Sequence, residues 1–142
     1  MRNKMAELKN LIDTAREKGA FPTLIKAAEV LGLIDKYSKE GPYTVFAPVE
    51  SAFETIPAEV IDESFEDHPY LLGIINYHIV KGKYTTADLK DLTSLETVSG
   101  KALKITSDAT KGGFRIDTAR IIEADIECTN GIIHAIDEIL IP

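Results

Sequence analysis

An α+β fold, with helices mainly in the N-terminal half and strands behind them, is what the 142-residue sequence predicts. Two observations carry that reading. Apolar residues recur at three- and four-residue steps through the first third, and from about Tyr77 onward the spacing shifts towards two. The two periods do not alternate along the chain, as they would in a doubly wound parallel sheet. No repeat, linker or low-complexity tract interrupts the sequence, so residues 1–142 read as one domain. At that length roughly two thirds of the unfolded surface is buried and no covalent staple is needed.

The elements follow in order. Met5, Leu8, Leu11, Ile12 and Ala15 form one stripe, giving an N-terminal helix within residues 1–20 that Gly19 stops behind Lys18. Pro22 suits a first helical turn, and Leu24, Ile25, Ala28 and Leu31 make a second stripe that runs out at Gly32. Gly41-Pro42 breaks the chain before Tyr43-Thr44-Val45-Phe46, a short β-prone run closed by Pro48. Ser51-Ala52-Phe53 predicts one helical turn. Pro57 opens a short helix through Ile61, and Pro69 opens another holding Leu71, Leu72 and Ile75.

Strands come next. Leu103 and Ile105 alternate with Lys104, and Phe114 and Ile116 with Arg115, across the polar turn Asp108-Ala109-Thr110-Lys111-Gly112-Gly113. Val98-Ser99-Gly100-Lys101 predicts a second hairpin turn. Ile122, Ala124, Ile126 and Cys128 predict one apolar strand face, with Glu123, Asp125 and Glu127 on the solvated one. Thr129-Asn130-Gly131 predicts a type I′ turn, which requires positive φ at both central residues. The closing run from Ile132 to Ile141 is apolar on both faces except at His134, Asp137 and Glu138, the pattern of a strand buried on two sides or of one carrying a bulge.

Composition narrows the function. A formal charge of -7 disfavours a nucleic-acid partner, which needs a basic face to release counterions, and equally a tight anionic-membrane binder. No stretch approaches the roughly 20 apolar residues of a membrane span. Cys128 is the one cysteine, so no intrachain disulfide forms. The basic start Met1-Arg2-Asn3-Lys4 is not followed by the apolar run of about 7–15 residues that an export signal carries. His68, His78, His134 and Cys128 contain no pair at helical metal-ligand spacing, so no metal site is expected. No serine sits in an elbow motif, and Cys128 falls on an apolar face, so no catalytic residue is assigned. The acidic pairs Asp62-Glu63, Glu66-Asp67 and Asp137-Glu138 read as surface charge.

Three segments together resemble the signatures of the fasciclin domain family. They are Tyr43-Thr44-Val45-Phe46-Ala47-Pro48-Val49-Glu50-Ser51-Ala52-Phe53, then Asn76-Tyr77-His78-Ile79-Val80, then the run Asn130 to Pro142 with His134 inside it. They occur in the family's order and span about Phe21 to Pro142. The chain departs from the pattern at Val49, where threonine is usual, and at Glu50, where a short Asp or Asn is usual. A weaker cap on the following helix, or one supplied by Ser51, is therefore expected.

The resemblance implies a wedge-shaped β-sandwich core with helices packed on it. It implies recognition or adhesion without catalysis or cofactor, towards a cell-surface or matrix protein or polysaccharide. The implied location is extracellular or the cell envelope; with no export signal read in the chain, a cytoplasmic address stays open. Asp125-Ile126 resembles an aspartate–isoleucine pair implicated in integrin contact by animal members, and Tyr77-His78 a second adhesive motif, which makes these four the candidate contact residues. Residue patterning favours a plainer role. It turns Ile126 to the core and leaves Asp125 in water, and it sets Tyr77 and His78 among aliphatic residues as core groups with satisfied polar ends. Phe46, Pro48, Phe53, Asn130, Gly131 and His134 are expected to be structural. The alternative function is a small-molecule carrier or an unrecognised enzyme using a pocket near Tyr77, His78 and His134.

Overall fold

The computed structural model describes residues 9–108 and 113–140. Met5, Leu8, the centre of the Asp108–Gly113 turn and the last two residues of the closing signature lie outside them. Three helices come first: α1 (Leu11–Lys18), α2 (Pro22–Val30) and α3 (Ile34–Lys39). Asn10 caps α1 by accepting the Asp13 N–H at 2.8 Å, and Gly19 ends it in the left-handed region at φ 67°. Helix α2 has Pro22 in its first turn and no cap from its own flank. Its partner comes from far along the chain: Glu50 accepts the Thr23 N–H at 3.2 Å and the Thr23 hydroxyl at 2.9 Å. Glu50 opens the single turn α4 (Glu50–Phe53), which starts at Val49 without a side-chain cap, since valine has no acceptor to offer. The carboxylate that caps its own helix poorly thus serves another.

Helix α5 (Ala58–Glu66) outruns the expected end at Ile61, and α6 (His68–Tyr77) follows, with Asp67 accepting the Tyr70 N–H. A further short helix, α7 (Thr86–Leu89), is too brief to show a period. A reciprocal capping box between Thr85 and Asp88 starts it.

Seven strands complete the described chain: β1 (Tyr43–Pro48), β2 (Ile79–Lys81), β3 (Ser94–Glu96), β4 (Ala102–Asp108), β5 (Gly113–Ile116), β6 (Ala119–Cys128) and β7 (Gly131–Ile136). They bond in the order β2-β1-β7-β6-β5-β4-β3, antiparallel except for the parallel pair β1–β7. The first residues of β6 pair with β5 and the rest with β7, so this long strand joins two layers. Past β3, the Val98 N–H donates to the Ile79 carbonyl of β2 at 2.8 Å, drawing the two ends of the series together.

Alternation along β1 and β7 builds two cores. Tyr43, Ala47, Ile133 and Ala135 face α1, α2 and α3 in one cluster. Phe46 and Ile136 face the other way, meeting Val80, Leu95, Leu103, Ile105 and Ile116 from the remaining strands. All six residues of β7 are buried, as expected of a strand covered on both sides. Helices in front and a barrel-like, two-layered sheet behind make this the α+β fold that the periodicity predicts.

Two expectations need correction. Ile122 and Ala124 do not share a buried face with Ile126 and Cys128: Ile122 is 54% exposed, while Ile121 packs on the second core. The cause is irregular register in β6 between Ile121 and Ile126, with Asp125 at φ 57°, which shifts the inward phase by one residue. Asn130-Gly131 is not a type I′ turn, because Asn130 does not have positive φ; Cys128 pairs with Gly131, leaving Thr129 and Asn130 as the loop. The dipeptide serves long-range contacts instead. Asn130 Oδ1 accepts the Leu11 N–H at 2.8 Å, and its Nδ2 donates to the Tyr37 and Glu40 carbonyls, both at 2.7 Å, tying α1 and α3 to the sheet. Phe46 is fully buried, and Phe53 is half-buried where it borders a surface groove.

Candidate functional site

Tyr77 and His78 end α6 and lead straight into β2, which places both between the two cores. The Tyr77 hydroxyl donates to Asp117 Oδ2 at 2.7 Å, and Asp117 Oδ1 accepts the Lys104 N–H at 2.9 Å. Burial, with Asp117 alongside, pushes the Tyr77 phenol up to about 12, so it stays a donor. His78 is 2% exposed. Its Nε2 accepts the Leu140 N–H at 2.9 Å, which leaves Nδ1 to donate its proton to the Ile74 carbonyl at 2.7 Å. Burial drives the imidazole down to about 4, so the neutral ring is the native one.

His134 mirrors this arrangement with the opposite tautomer. Its Nδ1 accepts the Asp125 N–H at 3.1 Å, so Nε2 donates to the Tyr84 carbonyl at 2.7 Å. Its ring stacks on Phe46 with centroids 5.6 Å apart, and burial lowers its pKa. The bulged backbone that hands Asp125 N–H to His134 also throws the Asp125 carboxylate across to α7. There it accepts the Thr86 N–H at 2.9 Å and the Thr86 hydroxyl at 2.6 Å. Burial opposes its ionisation, but the two Thr86 bonds and His134 outweigh it, and its pKa falls. Asp125 is therefore exposed yet engaged, while Ile126 is 9% exposed and packs under the helices.

Of the four candidate contact residues, then, Tyr77, His78 and Ile126 have buried side chains and Asp125 fastens α7. Sequence patterning reads the first three; the Asp125–Thr86 link, 39 residues apart, has no local signal beyond the capping box beside Thr86. Cys128 is buried, and burial raises its thiol pKa. Among the described residues no three His, Cys, Asp or Glu side chains gather where they would hold a metal ion. No described helix is long and apolar enough to cross a membrane.

The surface has its own asymmetry. Residues 41–80 hold seven of the 23 carboxylates and none of the 16 lysines and arginines, so the other sixteen of each sign cancel and the whole -7 falls on this one segment. On α5, Glu59, Asp62, Glu63 and Glu66 share one face and Ile61 and Phe65 the opposite one. The apolar side borders a groove of about 100 Å³ shared with Phe53, Ile56 and Ile74. Val60, Tyr70 and Leu72 beside it are 46%, 51% and 36% exposed. An apolar strip next to unbalanced negative charge is a feature that sequence periodicity alone did not single out.

Comparison with known proteins agrees with this geometry. A family model described as "Fasciclin domain" matches residues 19–142. The chain is 39% identical over 132 residues to an uncharacterised protein of Synechocystis sp., covering 93% of this chain and 97% of that protein. It is 28% identical over 132 residues to the transforming growth factor-beta-induced protein ig-h3 of Sus scrofa, but spans only 19% of that longer protein. Among solved structures, a domain pair from the insect cell adhesion molecule Fasciclin I superposes with a TM-score of 0.64 at 23% identity, over 87% of this chain and 46% of that one. At that identity the likeness speaks for the fold.

Proposed function

The chain belongs to the fasciclin domain family, and on that premise we propose that it is a non-catalytic recognition module contacting a cell-surface or matrix protein or polysaccharide. One observation carries the reading. The groups best suited to chemistry are engaged inside the fold: both ring nitrogens of His78 and His134, the Tyr77 hydroxyl and the Asp125 carboxylate hold backbone or side-chain partners. Each fixes a helix or strand end, and both histidines have their ring nitrogens committed, which supports a structural rather than a proton-transferring role. What remains open to a partner is surface.

Within that surface the α5–α6 strip is the favoured contact. Exposed Tyr70, Val60 and Leu72 supply the aromatic and aliphatic anchors that dominate binding energy, and the surrounding carboxylates supply selectivity. The acidic side favours partners that present cations. The Asp125 carboxylate already holds Thr86 with both oxygens, so a partner would have to share it, and it enters as the lesser contact.

The test is an array of surface proteins and polysaccharides probed with the wild-type domain and with Tyr70→Ala. A specific partner whose affinity drops about tenfold or more in the variant is the expected result. No partner above background would end the recognition reading. A partner bound equally well by both would move the contact away from α6.

A further inference from the structure

The seven-strand series ends at β2 and β3, and these two end strands are not paired with each other. Just past β3 the Val98 N–H donates to the Ile79 carbonyl at 2.8 Å, and among the described residues no other backbone bond joins the two edges. They part around a cleft of about 460 Å³. Val80 and Lys81 form one side of it, and Leu95, Glu96 and Thr97 the other.

Hydrogen-bond phase shows what these edges offer. In an antiparallel pair every second residue turns its N–H and carbonyl to the partner strand, and the residues between turn theirs away. The Thr93 carbonyl accepts the Ile105 N–H and the Lys101 carbonyl accepts the Thr97 N–H, so Thr93, Leu95 and Thr97 face β4. Ser94 and Glu96 therefore turn their main-chain groups to the open edge. On β2 the His78 carbonyl accepts the Phe46 N–H and the Pro42 carbonyl accepts the Gly82 N–H, which turns Lys81 outward in the same way. A row of donors and acceptors at two-residue spacing is matched by another extended chain. Side chains set the chemistry of that chain. Val80 and Leu95 are buried, so a strand laid beside β3 brings an apolar side chain against Leu95. Lys81, Lys83 and Lys104 are exposed, and Lys104 is the residue opposite Ser94 on β4. Residues 81–104 hold five lysines against Asp88, Asp91 and Glu96, a surplus of two cations in a chain of net charge -7.

We propose that the cleft receives an extended acidic segment of a partner protein as an added strand along β3. Its main chain bonds to Ser94 and Glu96, an apolar side chain sits against Leu95, and a carboxylate on the outer face is drawn by the lysines. Main-chain bonds supply affinity in this mode, and the alternate side chains supply selectivity. Both edge strands are three residues long and carry a charge, which guards them against indiscriminate pairing. A segment of about three to five residues matches that length. This surface is separate from the α5–α6 strip, and neither contact depends on the other.

The experiment titrates three peptides into the labelled chain at millimolar concentration and follows amide NMR shifts. They are acetyl-TVEVT-amide, its lysine counterpart acetyl-TVKVT-amide, and TVEVT methylated on its threonine and glutamate nitrogens. TVEVT should shift Lys81, Ser94, Glu96 and their neighbours selectively, and TVKVT should bind about threefold more weakly or less still. Methylation removes the donors that face the Ser94 and Glu96 carbonyls and should weaken binding about tenfold or more. Lys81→Glu with Lys83→Glu, both at exposed positions, should reverse the preference between the first two peptides. Tyr70→Ala should change nothing here, which separates this contact from the one on α6. Absent or scattered shifts overturn the proposal, as do full-strength binding of the methylated peptide, a charge preference that the lysine variant leaves unchanged, or binding lost in Tyr70→Ala.

Discussion

Gly131→Val is expected to prevent stable folding, with a loss above about 4 kcal/mol where a domain of this size has roughly 5–15 in all. A Cβ at Gly131 would run into the Tyr43 carbonyl oxygen, because Gly131 sits beside Tyr43 at the start of the parallel β1–β7 pair. Its φ of 157° is itself a backbone conformation that residues with a side chain rarely adopt, so backbone and missing space both demand glycine. Relief would require parting the two central strands or moving the Asn130 loop, whose side chain anchors α1 and α3. Gly73→Ala is the control, since an added Cβ there meets nothing within 4 Å and α6 is helical. That change should stabilise by about 0.4–1 kcal/mol. Thermal melting by circular dichroism separates the two, and a Gly131→Val melt near wild type would show that β1 and β7 are not paired as described.

The second large effect is Phe46→Ala, expected to cost about 3–5 kcal/mol in denaturant unfolding. Phe46 is fully buried in the core between the two sheet layers and carries the His134 ring on its face. Its loss opens a void and leaves that imidazole without its stacking partner. Phe53→Ala, from a half-buried ring at the groove edge, should cost under about 2 kcal/mol. Equal losses at the two positions would mean that the second core is not centred on Phe46.

Local signals in the sequence were strong wherever the chain itself provided the physics. Gly19 and Pro22 mark the end of α1 and the start of α2, whereas the stripe from Met5 misses the start of α1, which Asn10 caps just before Leu11; the double-sided apolar run of β7 is found buried throughout. The local signal is silent where the cause lies elsewhere in the chain. A two-residue period carries no sign of a bulge, so the pattern turns Ile122 inward where the irregular register leaves it exposed. Asn130-Gly131 carries genuine turn chemistry, yet its two residues are held by Leu11, Tyr37, Glu40 and Tyr43, remote in sequence. The caps that Glu50 and Asp125 give to Thr23 and Thr86 reach back 27 and 39 residues, beyond any capping pattern. Tyr77, His78 and His134 were legible as polar groups in an apolar setting; their partners were not.

Those partners make the histidines fasteners whose rings stay neutral, and imidazole nitrogen NMR between pH 8 and pH 4 reads this directly. His78 should show the proton on Nδ1 and His134 on Nε2, since a backbone N–H donates to the other nitrogen of each. Above the ordinary value of 6.5 the folded and unfolded chains both hold a neutral His78, and its contribution to stability is whole. Between 6.5 and about 4 the unfolded chain takes up a proton that the folded one refuses, so stability declines as pH falls, by about 3 kcal/mol across that window. His134, also lowered, acts in the same direction. A single fixed tautomer in each ring, persisting well below pH 6 for His78 and below the ordinary imidazole range for His134, is the predicted result. Either ring titrating near 6.5 with mixed tautomers would contradict it, because an imidazole free to exchange protons is not holding the fold together.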